Sequence, residues 1–359
     1  MNAPLRAAPS PASPLAPAES LLRLSDVHKT FTALTGETRV ALDGVSIELR
    51  HGEILGLIGS SDSGKSTLGL LAAGLERPTA GQVALEGVDY EAGGAKLRRA
   101  IAVLGPDPDL PPTRSVRDIV VERRDALGAA ATPGALERLF ELLDLEGDAD
   151  RPACELSAGH RRRAALARAL AGEPRLLILD EATSALDPEI AGTFLTALAR
   201  LNAEARLTVL LITHDMTAVT ALASRVAVLH QGRIVEEGPT ARVFARPAHA
   251  VTRRFAAAAT GATLPPFIAG KLSDTATPGG QALIRLAFEG PSATRPVLTY
   301  VARELGFDLG IVAGSLGAAG GAPYGVLIVA APSDEPYFTA AVERLEDAEL
   351  GVEVLGFIA

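Results

Sequence analysis

The sequence holds one cysteine, Cys154, in 359 residues. A single thiol cannot close a disulfide within the chain, and it cannot build a zinc site. No nucleophile constellation surrounds it, so it reads as a packed or partly exposed thiol in a reducing compartment. Long apolar runs are also lacking. Nothing in the chain approaches the ~18–20 residues that a membrane span needs. The N-terminus carries no continuous apolar core, which sets aside a signal peptide. An excess of positive charge is missing too. The formal net charge is −9, and that argues against a nucleic-acid partner. These absences lead us to expect a cytoplasmic chain able to dock on a membrane protein.

What is present suits two or three domains, with 48% apolar residues to fill ordinary cores. The most informative stretch is Gly59, Ser60, Ser61, Asp62, Ser63, Gly64, Lys65, Ser66 and Thr67. It fits the phosphate-loop pattern of Gly, four residues, Gly-Lys and Ser or Thr. An apolar run over residues 53–58 reads as a buried strand before it, and residues 66–75 read as a helix after it. In that context Gly59 and Gly64 let backbone N–H groups curl inward around a polyphosphate. The helix start adds its positive dipole end. Lys65 can reach the β- and γ-phosphates, and Ser66 can hold Mg²⁺. A plain Gly/Ser surface loop would not need strand and helix placed so.

A second constellation follows the apolar strand at residues 176–179, which delivers Asp180 and Glu181 at its C-terminal end. α/β sheets present ligand-binding groups at that end. Asp180 is a candidate Mg²⁺ ligand, and Glu181 is placed to activate an attacking water. His214 ends another apolar strand at 208–213 and can hydrogen-bond a γ-phosphate. Ser157, Ala158 and Gly159 open a helix rich in Ala and Arg. Ser157 fits an N-cap, and the free N–H groups of Ala158 and Gly159 can form an anion site, though taken alone the stretch reads better as a plain helix cap.

Elsewhere, residues 1–20 are rich in Pro and Ala and read as a disordered tail. Residues 22–49 alternate as antiparallel strands and include Phe31. Residues 87–94 read as a turn, 101–104 as a short buried strand, 107–112 as a proline-rich loop, and 116–145 and 242–259 as helical. Residues 260–280 read as a linker. The remaining chain, 281–359, has the order βαββαβ of a ferredoxin-like unit, with residues 314–321 read as a Gly/Ala-rich turn. We see no catalytic or metal group there. Such units bind small molecules or pair with themselves.

Together these pieces resemble the nucleotide-binding subunit of an ABC transporter over residues 22–259. The phosphate loop resembles Walker A, residues 176–181 Walker B with its catalytic glutamate, and residues 156–160 the signature. Residues 184–187, ending in Asp187, resemble the D-loop, and His214 the switch histidine. Phe31 lies where the family stacks an aromatic on adenine. The resemblance implies an α/β P-loop ABC ATPase domain at residues 21–259, with a RecA-like core, an antiparallel β subdomain and a helical subdomain. It implies ATP and Mg²⁺ as cofactors, and a head-to-tail homodimer in which Ser157 and Gly159 act across the interface. It also implies two integral-membrane permease subunits, contacted through residues 107–117, and indirectly an extracytoplasmic substrate-binding protein. With the C-terminal α+β ferredoxin-like domain, the chain resembles the methionine importer ATPases, whose tail domain binds methionine and restrains transport.

The chain departs from that pattern at named places. Asp62 stands for Gly, Ala158 for Gly and His160 for Gln. An acidic side chain near phosphates is unfavourable, though Asp tolerates unusual backbone angles. Pro106 stands at the Q-loop glutamine. It offers no side-chain amide and stiffens the loop. Two rival readings stay open: an importer ATPase for another amino acid, since the turn at residues 307–310 holds few amide side chains, and a nucleotide-binding switch that hydrolyses ATP poorly, which Pro106 and Asp62 favour.

Overall fold

The computed structural model describes residues 20–359 apart from 34–35, 108, 131 and 185. Of the proline-rich tail expected at residues 1–20, residues 1–19 lie outside the described residues, as does Ala185 of the D-loop stretch, while Ser20 is already strand. The chain opens with two long strands, β1 (Ser20–Thr32) and β2 (Thr38–Arg50), paired antiparallel. Then come β3 (Ile54–Gly59), α1 (Lys65–Ala72), β4 (Ala80–Leu85), β5 (Val88–Asp89), α2 (Tyr90–Arg99) and β6 (Ile101–Leu104). The stretch 87–94, expected as a turn, is thus a helix start from Tyr90. The Asp89 carboxylate accepts from the Glu91 N–H at 2.7 Å and caps it.

The expected helical stretch from 116 breaks into α3 (Val116–Leu127) and α4 (Ala135–Leu142). Gly128 ends α3 in the left-handed region, and Pro133 and Gly134 restart the chain. The chain continues through α5 (Ala158–Leu170), β7 (Leu176–Asp180), α6 (Pro188–Ala205), β8 (Thr208–Ile212), α7 (Met216–Leu222), β9 (Arg225–His230) and β10 (Arg233–Pro239). Next, α8 (Thr240–Ala245) and α9 (Ala250–Thr260) are separated where Pro247 can donate no backbone hydrogen bond. Residues 260–280 carry the one-turn α10 (Pro266–Ala269) and a bridge from Ser273 to Phe357.

The strands form three sheets. The central one has order β10-β9-β3-β8-β7-β6 and is parallel except for β10. β3, β7 and β8 are apolar nearly throughout and buried, as strands covered on both faces must be. Their C-terminal ends converge on one edge, and the phosphate loop, Asp180 and His214 all leave from it. The antiparallel sheet β2-β1-β4-β5 packs its apolar face with α1 into a shared core.

The C-terminal sheet holds β11 (Gln281–Glu289), β12 (Gly310–Ala319), β13 (Ala322–Pro332) and β14 (Gly351–Ile358). Its order is β12-β13-β11-β14, antiparallel throughout, and α11 (Val297–Leu305) and α12 (Tyr337–Asp347) cover one face. That is the split βαββαβ topology. The turn expected over 314–321 is mostly strand, and only Gly320 and Gly321 turn. The other face of this sheet rests on α8, where Tyr324 packs 6.4 Å from Phe244. Arg246 pairs with Glu289 at 2.9 Å, and the Gly320 N–H donates to the Thr220 carbonyl in α7 at 3.2 Å.

Candidate functional site

The phosphate loop lies between β3 and α1, and backbone geometry accounts for its glycines. A Cβ on Gly59 would fall 2.2 Å from the Leu229 carbonyl oxygen. Gly64 has φ +105, and a Cβ there would meet the Ala41 carbonyl at 2.5 Å. Both positions exclude any side chain. Asp62 has φ 62, the left-handed conformation that Asp adopts more readily than most residues. Asp62 thus holds, without a glycine, a φ that glycine would adopt freely. Its carboxylate stands exposed, 3.2 Å from the Arg39 guanidinium.

Arg39 lies directly across the hairpin from Phe31. Phe31, Arg39 and Ala41 form one wall of a cleft of about 250 Å³, and residues 62–67 form the other. Phe31 is partly exposed there, with the Lys29 ammonium 4.9 Å from its ring centre. Our sequence reading missed Arg39. The hairpin register that sets it opposite Phe31 was the available signal.

The Lys65 ammonium donates to the Gly59 and Ser60 carbonyls at 2.9 and 3.0 Å. Burial lowers its pKa, against the pull of Glu181, Asp180 and Asp62. Asp180, at the end of β7, is shifted the other way. Burial and then the neighbouring Glu181 raise its pKa, while the Ser66 hydroxyl and Lys65 oppose them. Its Oδ1 is buried with no hydrogen-bond partner. A buried carboxylate oxygen without a donor, beside a serine hydroxyl, is a donor set that suits a hard divalent cation.

Glu181 also has a left-handed backbone, at φ 51, pinned by its N–H donating to the Ile212 carbonyl at 2.9 Å. Its Oε2 lies 2.8 Å from His214 Nδ1 and accepts from the Thr213 hydroxyl at 3.4 Å. The His214 ring is largely exposed. A carboxylate held by an imidazole at a sheet edge can take a proton from water and orient the water.

Ser157, Ala158 and Gly159 do not line the phosphate-loop cleft. They begin α5, where the Ser157 hydroxyl accepts from the His160 N–H at 3.2 Å. A Cβ on Gly159 would fall 2.8 Å from Ile190 in α6. Asp187 caps α6 by accepting from the Ile190 N–H at 3.0 Å. Signature and D-loop residues therefore form a second cluster joined through Ile190. His160 Nδ1 lies 2.5 Å from the buried Asp148 carboxylate.

A strand, phosphate loop and helix, with an acid-tipped strand and a histidine on neighbouring strands, define an ABC-type P-loop ATPase. The ABC transporter family profile matches residues 42–184, and the NIL domain profile matches residues 282–354. The chain is 40% identical to the methionine import ATP-binding protein MetN of Rhodopseudomonas palustris, over all of this chain and 99% of that one. It is 41% identical to that of Rhizobium meliloti, over 93% and 95%. Among solved structures it resembles cbiO1 of Clostridium perfringens, part of the ABC transporter complex cbiONQ. There the TM-score is 0.57 and the identity 27%, over 63% of this chain and 91% of that one. It also resembles a dimeric ATP-binding cassette in a post-hydrolysis state bound to ADP and Pi. The TM-score is 0.53 and the identity 27%, over 61% and 98%. The chain belongs to the MetN family of ABC transporter ATP-binding subunits. It is an ATP-binding ATPase subunit. Among the described residues no helix is long and apolar enough to cross a membrane.

Proposed function

We propose that the chain powers a methionine importer from the cytoplasmic face of the bacterial plasma membrane. The observation that carries this reading is end-to-end similarity to methionine import ATP-binding proteins, with both domains in the same order. In this reading the phosphate loop from Gly59 to Thr67 cradles the β- and γ-phosphates, and Phe31 stacks on the adenine. Lys65 leaves the Gly59 and Ser60 carbonyls for the phosphates. Asp180 and Ser66 would hold Mg²⁺, which offsets phosphate charge when bound. Glu181 accepts a proton from the attacking water, and His214 orients Glu181.

Ser157, Ala158, Gly159 and Asp187 lie away from their own chain's cleft. Each would complete the site of the partner subunit in a head-to-tail homodimer. The membrane partners are two permease subunits fed by an extracytoplasmic binding protein, and the C-terminal domain binds methionine as effector. Calorimetry of L-methionine against the full chain tests the effector, with L-leucine as the control. Saturable heat with methionine alone supports it. No heat points to another amino acid.

Pro106 favours a second reading, a switch that binds ATP and hydrolyses it poorly. Glu181→Gln separates the two. In a working ATPase it lowers turnover by about 10²–10⁴-fold and leaves a stable ATP-bound dimer. In a switch it changes little.

A further inference from the structure

The loop after β6 is short of backbone donors. Pro106, Pro108, Pro111 and Pro112 remove four of them from a run of seven residues. Several carbonyls of its described residues are held from elsewhere. Arg162, in the first turns of α5, is only 2% exposed. Its guanidinium donates to the Gly105 carbonyl at 2.8 Å and to the Pro106 carbonyl. Further along α5, Arg168 donates to the Asp109 carbonyl. The far end of the loop is tied to the segment before α5. The Cys154 N–H donates to the Pro112 carbonyl at 2.9 Å, and the Ala153 N–H to the Arg114 carbonyl at 3.0 Å.

These two anchoring segments flank Ser157, Ala158 and Gly159 on either side. The loop meanwhile turns Asp107, Asp109, Pro111, Pro112 and Thr113 to solvent. Burying a guanidinium is costly unless its donors are used. Burial lowers the Arg162 pKa, Asp107 opposes this, and its Nε is left without a partner. A buried cation bonded to loop carbonyls is a link that neither surface solvation nor the loop's own backbone can replace.

We infer that Arg162 is a positioning residue: it makes the loop residues 105–107 and 109–114 and the signature segment 157–159 one mechanical body. A push on the loop from a membrane partner then reaches the signature without passing through a side chain at position 106. Pro106 contributes its carbonyl, and Arg162 supplies the contact. This rests on the transport reading above.

The test compares the full chain alone with the chain assembled with its permease subunits in vesicles. Arg162→Met keeps the bulk and removes the donors. We expect basal ATPase of the detached chain within about twofold of the parent, with the same KM for ATP. Stimulation by solute-loaded binding protein should fall about tenfold, the factor that a lost 1.4 kcal/mol gives. Arg162→Lys keeps charge and one donor and should fall between. A parallel fall of basal and stimulated rates overturns the proposal, because that is a merely structural role. Full stimulation in Arg162→Met overturns it too. Should Arg162→Met fail to fold, Arg162→Lys decides alone by the same comparison. Glu181→Gln in the same vesicles reports on the underlying reading independently. If it leaves turnover intact, the transport ATPase reading fails, whatever Arg162 does.

Discussion

The phosphate loop and the loop after β6 each carry a residue foreign to the resembled pattern, and they respond to it differently. In the phosphate loop the working groups are backbone N–H donors. What a residue must supply there is a φ value, and Asp62 supplies it at φ 62. Its side chain reaches across the cleft and meets Arg39. In the loop after β6 the resembled working group is a side-chain amide, and Pro106 has none. Its backbone is no substitute as a donor, since proline lacks the N–H. A function carried by backbone survives a change of side chain when the dihedrals are allowed. A function carried by a side chain survives only if another residue takes it over.

The largest expected effect lies at a residue of pure side-chain function. Asp180→Asn should lower ATP hydrolysis by about two orders of magnitude or more, because in the proposed mechanism it weakens the seat of Mg²⁺. It should also raise the melting temperature of the nucleotide-free chain. Burial and Glu181 raise the Asp180 pKa, so the folded chain binds that proton more tightly than the unfolded one. The stability this confers is full below the unfolded value and is lost as pH rises through the folded value. Near neutral pH the ionised carboxylate is therefore a cost, and asparagine removes it. The gain should shrink as the pH is lowered into the acid range. Thermal unfolding of both chains across that range checks the sign. A lower melting temperature at neutral pH would show that Asp180 is structural rather than held ready for a cation.

At the second loop the expected effect is smaller and opposite in sign. Pro106→Gln restores an amide and a backbone donor. Transport-coupled ATPase in the assembled transporter should rise, by up to about tenfold if the amide recovers ~1.4 kcal/mol in the transition state. No change would refute the idea that the amide missing at position 106 limits coupling.

The same contrast explains what the sequence disclosed. Lys65, Asp180, Glu181 and His214 were readable because each follows an apolar strand of the central sheet at a fixed offset. The left-handed position of Asp62 was readable from the loop pattern. Arg39 was not, because it enters the cleft only through its pairing with Phe31 across a hairpin. Arg162 was not, because its partners are carbonyls 56 and 57 residues away, which no local pattern records. The strand over 314–319 read as a turn because Gly and Ala dominate it. Pairing with the buried β13 overrides that composition.

The smallest effect belongs to Asp62. Its carboxylate is exposed and paired, so it opposes a bound polyphosphate only weakly. Two unit charges about 4 Å apart in water interact by ~1 kcal/mol, or roughly fivefold in affinity. Asp62→Gly should tighten ATP binding by about that factor and little more, with stability nearly unchanged, because glycine adopts the same φ without strain. Arg39→Ala tests why the penalty is so small. In the parent chain it unmasks Asp62, and ATP affinity should drop. In the Asp62→Gly background the same change should cost less, since no carboxylate remains to be neutralised. Equal costs in the two backgrounds would place Arg39 on the nucleotide itself, and the phosphate loop would then owe part of its grip to a side chain after all.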